Sequence, residues 1–256
     1  LSMDYSNFKI DMPNDVDFII NTIKSHGHQA YAVGGCVRDS IMGLTPNDWD
    51  ITTSALPSDI KEYFNKTIDT GIEHGTVTVM LHNVGYEVTT YRIDGEYKDG
   101  RHPSSVEFSD RLTDDLCRRD FTINAMAYNN VTGLVDEYGG IDDINNRIIK
   151  CVGNPIERFT EDALRMMRAI RFSAQLGFTI EPDTFKAIEK LNRNIDKVSM
   201  ERVCVELKKT LLSDNPDYCS LYATTGLFNN ILPVIADNLT GRYAKKLLLT
   251  CKYTDN

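Results

Sequence analysis

The chain has 256 residues, 41% hydrophobic and 25% charged, enough for one large domain or two modest ones. A formal net charge of −9 and a pI near 5.1 argue against indiscriminate coating of nucleic acid, while a local basic face or a metal-bridged phosphate substrate is compatible with an acidic total. No long uninterrupted apolar run occurs, so no membrane span is expected, and the N-terminal stretch lacks the basic-then-apolar layout of a secretory signal, which points to the cytoplasm. The six cysteines, at 36, 117, 151, 204, 219 and 251, form no C-x-x-C, and the five histidines form no H-E-x-x-H. Neither zinc nor a disulfide framework is expected, and the thiols read as reduced residues in or near the core.

In chain order, residues 14–26 (NDVDFIINTIKSH) place Val16, Ile19, Ile20 and Ile23 at helical spacing, with Asn14 as N-cap and Gly27 as stop. QAYAVGG then reads as a strand ending in a glycine turn, DWDIT as a second strand, and PSDIKEYFN, led by proline, as a helix. GTVTVML and YEVTTYR are β-branched runs joined by HNVG, a hairpin signal. Residues 94–105 (DGEYKDGRHPSS) read as a mobile surface loop. From about residue 114 the pattern turns helical, with a strand-like interruption near GLVDEYGG. Residues 160–176 form the clearest amphipathic helix, with Thr160 as N-cap and Gly177 as stop, and residues 182–191 and 199–212 are further helices. β content in the first 145 residues and α content thereafter predict an α+β head followed by a helical segment.

The stretch YAVGGCVRDSIMGLTPNDWDITTSA, residues 31–55, sets a glycine pair and an arginine ahead of two acids. Alternation along a strand would put Asp48 and Asp50 on one face. Two such carboxylates repel and raise each other's pKa unless a cation neutralises them. Mg²⁺ suits the task, since it takes carboxylate oxygens together with substrate phosphates. Gly34 and Gly35 let backbone N–H groups approach an anion with no Cβ in the way, and Arg38 adds a forked donor. Glu87, mid-strand among β-branched residues with Tyr86 and Val88 on the other face, is the candidate third carboxylate. The arrangement matches what transfer of a nucleotidyl group requires. Each part alone has a plainer reading: a solvated acid pair, a simple turn, an edge-strand glutamate.

The same stretch resembles the first motif of the class II tRNA nucleotidyltransferase family, the CCA-adding enzymes and their bacterial poly(A) polymerase relatives. DLCRRDFTINAMAYN is similar to its second motif, VDEYGGIDDI to its third, RFTEDALRMMRAIRFSAQLGF to its fourth and SMERVCVELKKTLL to its fifth, all in family order from residue 31 to about 212. The resemblance implies a polymerase-β-type nucleotidyltransferase head with a small mixed sheet (1–145), an all-helical neck that recognises the base (146–213), and the start of a helical body (214–256). It implies that Asp48, Asp50 and Glu87 hold Mg²⁺. It further implies that Gly34, Gly35 and Arg38 meet the triphosphate, and that Arg119, Asp120 and Asn124 read ribose and phosphates. Asp162 and Arg165 would be the amino-acid template that selects the base. Arg168 and Arg171 are further nucleotide-binding candidates, with a surface role equally open. GG at 139 and 140 reads as turn chemistry.

The template has a chemical rationale. Cytosine and adenine both show an exocyclic amine beside a ring-nitrogen acceptor. A carboxylate accepts and a guanidinium donates, so one Asp–Arg pair fits both bases. Uracil and guanine reverse the pattern and would leave buried groups unpaired. The plainer reading of EDALR is a solvated helix start in which Glu161 and Arg165 form an i,i+4 pair worth about 0.2–0.5 kcal/mol.

The implied reaction adds C and A from CTP and ATP to the tRNA 3′ end, with release of pyrophosphate. A CC-only, A-only or poly(A)-adding relative, or a catalytically weak binding fragment, stays open. The family usually runs well beyond this length, so most of the tRNA-gripping body and tail is expected to be missing. Residues 186–209 still hold seven Lys or Arg against four acids, a balance of +3 that gives RNA a modest footing. No protein partner is evident.

Overall fold

The computed structural model describes residues 8–95 and 106–231. The chain divides into two compact units that part between Ile144 and Asn145. The expected loop at 94–105 lies, beyond its first two residues, outside the described residues.

The first unit opens with α1 (Asn14–Ser25), which buries Val16, Ile19, Ile20 and Ile23. Its N-cap is Pro13 rather than Asn14, and no side chain caps it; Asp15 and Asp17 in the first turn meet the helix dipole instead. β1 (Ala30–Val33) leads into α2 (Gly35–Ile41), and β2 (Asp50–Thr53) into α3 (Pro57–Tyr63). β3 (Thr67–Gly71), β4 (Thr76–Leu81) and β5 (Val84–Thr90) follow. The β4–β5 turn is shorter than HNVG. Only His82 (φ 49°) and Asn83 (φ 63°) form it, with Leu81 facing Val84, and two left-handed residues give the twist that hairpins favour. β6 (Arg92–Asp94) pairs antiparallel with β7 (Val106–Phe108). Then come α4 (Leu112–Cys117), a 3₁₀ turn at Thr122–Asn124, β8 (Met126–Asn129), β9 (Gly133–Asp136) and α5 (Gly140–Asn146).

These strands build a mixed sheet in the order β3-β4-β5-β2-β1-β8-β9, antiparallel except for β2 beside β5. β8 corrects the expectation of helix after residue 114. All four of its residues are buried, between β1 and β9, so the sequence shows no alternation to betray a strand. Asp136 accepts from the backbone N–H groups of Gly140 and Ile141, which ties the GG turn to the start of α5.

In the second unit β10 (Ile148–Ile149) precedes α6 (Pro155–Glu161) and α7 (Leu164–Leu176), and β11 (Thr179–Ile180) precedes α8 (Pro182–Leu191), α9 (Met200–Leu211), α10 (Ser220–Thr224) and α11 (Leu227–Ile231). The neck is therefore not entirely helical, because β10 and β11 pair in parallel. The single helix expected over 160–176 is two. Thr160 lies within α6, its hydroxyl returned to the Ile156 carbonyl, and Asn154 is the cap. The chain leaves helical geometry at Asp162 (φ −139°, ψ 106°) and restarts at Ala163, running to Gly177 (φ 65°). Among the described residues no helix is long and apolar enough to cross a membrane. Cys36, Cys151 and Cys219 are buried, but Cys117 and Cys204 are exposed, against the expectation of core thiols.

Arg171 on α7 and Glu206 on α9 form a buried ion pair at 2.6 Å. Glu206→Ala removes the carboxylate from this buried pair and lowers the stability of the helical unit by about 3 kcal/mol, read from a urea titration at neutral pH.

Candidate active site

The turn after β1 needs glycine. Gly34 has φ 85°, and a Cβ there would sit 3.2 Å from Nη1 of Arg119. Gly35 opens α2, and Arg38 one turn later is buried. Arg38 donates from Nε and Nη2 to Asp39 (2.8 and 2.7 Å) and from Nη1 to Asn124 (2.7 Å). Asn124 in turn donates to Asp120, which also accepts from the Phe121 N–H. Arg38, Asn124 and Asp120 thus form one buried chain of hydrogen bonds that braces the glycine turn. Arg38 is not the open fork that the spacing suggested.

Asp50 begins β2 opposite Val33, so it stands directly beside the Gly34 turn. Asp48 precedes the strand instead of lying on it. Exposure still alternates, with Trp49 and Ile51 buried and both acids open to solvent. Glu87 is exposed on β5, the parallel neighbour of β2. Surrounding protein raises the Glu87 carboxyl, and the charges of Asp50 and Asp48 raise it further. Asp50 is raised by its surroundings and by Asp48, against the pull of Arg119. Among the described residues no three His, Cys, Asp or Glu side chains converge into a ready-made metal cage. Mg²⁺ does not ask for one, since it keeps several waters and takes one or two carboxylates plus phosphate oxygens. An open set of mutually repelling carboxylates beside an anion-friendly turn fits such an ion.

Arg119 is aimed by Asp115, a residue that the motif pattern did not single out. Burial alone would raise the Asp115 carboxyl, but Arg118 and Arg119 outweigh it and hold it below the ordinary carboxylate range. Arg118 donates from Nε and Nη2 to Oδ1, Arg119 from Nη2 to Oδ2, and the Thr52 hydroxyl on β2 to Oδ2 as well. The available signal was an acid three and four residues before a pair of arginines, the spacing of ion pairs on a helix.

In the second unit, Asp162 sits in the break between α6 and α7. Its Oδ1 accepts from the Leu164 N–H (3.0 Å) and its Oδ2 from Nη2 of Arg202 on α9 (3.1 Å). Arg165 pairs with Glu161 at 2.7 Å and also donates to the Arg158 carbonyl. The i,i+4 pair of the plainer reading therefore exists, but it spans a helix break and is largely shielded, Arg165 being 11% exposed. Arg168 lies with its guanidinium 5.3 Å from the centre of the Phe172 ring. Arg171 is a correction to the candidate set. It is buried, committed to Glu206 and Gln175 and stacked 3.8 Å from the Phe172 ring, so it belongs to the helical core. Arg202 was also missed, for α9 is far from Asp162 in sequence.

The chain matches the family described as the poly(A) polymerase head domain over residues 30–150, and that described as the probable RNA and SrmB-binding site of polymerase A over 177–239. It is 49% identical over 218 residues to a CCA-adding enzyme of Ligilactobacillus salivarius, covering 80% of this chain and 54% of that protein. It is 47% identical over 223 residues to one of Lactiplantibacillus plantarum, covering 86% and 54%. Among solved structures, the Bacillus stearothermophilus CCA-adding enzyme in complex with CTP superposes with a TM-score of 0.80 at 43% identity, covering 93% of this chain and 56% of that one. The Thermotoga maritima CCA-adding enzyme in complex with tRNA gives 0.71 at 26% identity, covering 86% and 52%. The chain spans about half the length of the curated relatives it matches.

Because the carboxylates repel, Asp50→Asn and Glu87→Gln each raise the melting temperature at neutral pH without divalent cation. In the parent, addition of Mg²⁺ with CTP is expected to raise it, and the Asp50→Asn variant to lose most of that rise. Thermal melts of the three proteins check this; a lower melting temperature for both variants in the absence of cation would show that the acids do not strain the fold.

Proposed function

Since the chain belongs to the family of poly(A) polymerase head domains and CCA-adding enzymes, we propose that it is a nucleotidyltransferase that adds C and A to the tRNA 3′ end from CTP and ATP. The reading takes residues 1–145 as the catalytic head, 146–213 as the base-recognising neck and 214–256 as the start of a helical body. The same reading places the protein in the cytoplasm. The observation that carries the reading is the group of Asp48, Asp50 and Glu87, coupled by charge beside the Gly34 turn.

In the proposed reaction the terminal ribose hydroxyl attacks the α-phosphorus and pyrophosphate leaves. Family members generally use a divalent metal, and Mg²⁺ is the ion proposed here, held by Asp48, Asp50 and Glu87. When bound, it would make the hydroxyl a better nucleophile and neutralise phosphate charge. The Gly34 N–H already donates to the Met126 carbonyl (3.2 Å), so the phosphates are assigned to the Gly35 side of the turn, over which the Arg119 guanidinium stands. Asp120 and Asn124 support ribose and phosphate recognition through the chain that fixes Arg38. Asp162 accepts the exocyclic amine of C or A, and Arg165 donates to the adjacent ring nitrogen. Arg168, on the same helix as Arg165, is a candidate for phosphate contact.

The direct test supplies a tRNA lacking its CCA end with each nucleoside triphosphate singly and in mixtures. Incorporation of C followed by A is expected, and Asp48→Ala or Asp50→Ala should abolish it while the thermal melt remains that of a folded protein. Transfer within about threefold of the parent would remove both acids from the chemistry.

Arg165→Ala should slow incorporation of C and A roughly ten- to hundredfold, since a lost charge-assisted hydrogen bond costs about 1.5–3 kcal/mol. Uracil and guanine never make that bond, so their slow rates fall little and the preference narrows. Rates for all four nucleotides decide; an unchanged C-to-U ratio rejects the template role.

A further inference from the structure

Asp162 and Arg165 lie three residues apart and carry opposite charges, so nothing in their chemistry stops them from pairing with each other. Paired, each would satisfy the groups that a base must find open. In this structure each has a different partner. Arg202 holds Oδ2 of Asp162 at 3.1 Å, the Leu164 N–H holds Oδ1, and Glu161 holds Arg165 at 2.7 Å. Glu161 is itself anchored on its other oxygen by Arg158. We propose that Arg202 is the positioning residue of the base-reading pair: by engaging one oxygen of Asp162 from α9, it keeps that carboxylate oriented and out of reach of Arg165. The inference rests on the template reading above.

The geometry explains why an arginine is suited to the post. Its fork reaches across from α9 with one nitrogen on the carboxylate. The other terminal nitrogen, Nη1, is buried and has no hydrogen-bond partner among the described residues, so the guanidinium is not consumed by a second acid that would compete for it. The carboxylate also keeps acceptor capacity. Each ionised oxygen offers two lone-pair directions, and the Leu164 N–H and Arg202 take one direction on each. An exocyclic amine can therefore add to Asp162 without displacing Arg202. Arg202 does not touch the base; it acts through Asp162.

The test is equilibrium binding of CTP, ATP, UTP and GTP to the full chain, with thermal melts alongside. In Arg202→Met the preference for CTP and ATP over UTP and GTP should fall about tenfold, the effect of one charge-assisted contact. Arg202→Lys keeps the charge and a single donor, and should recover part of the preference. If Arg202 acts by keeping Asp162 from Arg165, its removal matters less once Arg165 is gone. The effects of Arg202→Met and Arg165→Met on the preference should therefore be less than additive. A lower melting temperature with an unchanged base preference in both Arg202 variants would make the residue a mere tie between α7 and α9 and overturn the proposal, as would full additivity. No base preference in the parent would sink the template reading itself, and the proposal with it.

Discussion

Asp115 carries a negative charge where no water reaches it, and it does so because Arg118, Arg119 and the Thr52 hydroxyl all converge on its two oxygens. A buried carboxylate without such partners would cost several kcal/mol or take up a proton. With them it becomes a fixed point. It joins α4 to β2 two residues beyond Asp50, and it aims Arg119 at the Gly34 turn. Arg119 then lies close enough to Asp50 to pull its carboxyl downward against the push of Asp48 and of the surrounding protein. The glycine turn, the acid beside it and the cation over it are thus positioned by one desolvated charge.

The acids themselves work against the fold. Asp50 and Glu87 are both raised by their surroundings and by neighbouring carboxylates. Sheet pairing holds them there anyway, since Ile51 and Val88 beside them are buried and in register. The apolar faces of β2 and β5 supply what the charged faces cost. On the reading proposed above, a bound cation would relieve this repulsion between the carboxylates.

The helical unit solves a different problem with similar means. A continuous helix from 155 to 176 would have placed Asp162 and Arg165 on regular i,i+3 positions. Instead the chain opens at Asp162, whose own side chain caps the restarting helix through the Leu164 N–H. The Arg171–Glu206 pair fastens α7 to α9 in the interior, and that fastening brings Arg202 to Asp162. Arg171 and Arg165 share a helix and are shielded to a similar degree, but Arg171 is tied to Glu206 on α9 while Arg165 is tied back to Glu161 and the Arg158 carbonyl of α6.

Much of this was legible in the sequence. The glycine turn, the acids that follow it, the hairpin with Glu87 and the switch to helices are local patterns, set by φ preferences and by hydrophobic period. The ordered motifs pointed to the family for the same reason, as each is a short run whose chemistry is carried by neighbours in the chain. What tertiary structure alone decided was the partners. β8 reads as helix until β1 and β9 pair along its two edges and all four of its residues are buried. The break at Asp162 is hidden inside an amphipathic run. Arg38 looks like an open phosphate donor until Asp39 and Asn124, the latter 86 residues away, take its nitrogens. Arg202 means nothing to Asp162 in sequence, 40 residues distant, and holds its carboxylate in space. Periodicity reports which face of an element is buried. It does not report which charge on another element will be found there, because ion pairs and hydrogen bonds depend on distances that only the packed chain determines.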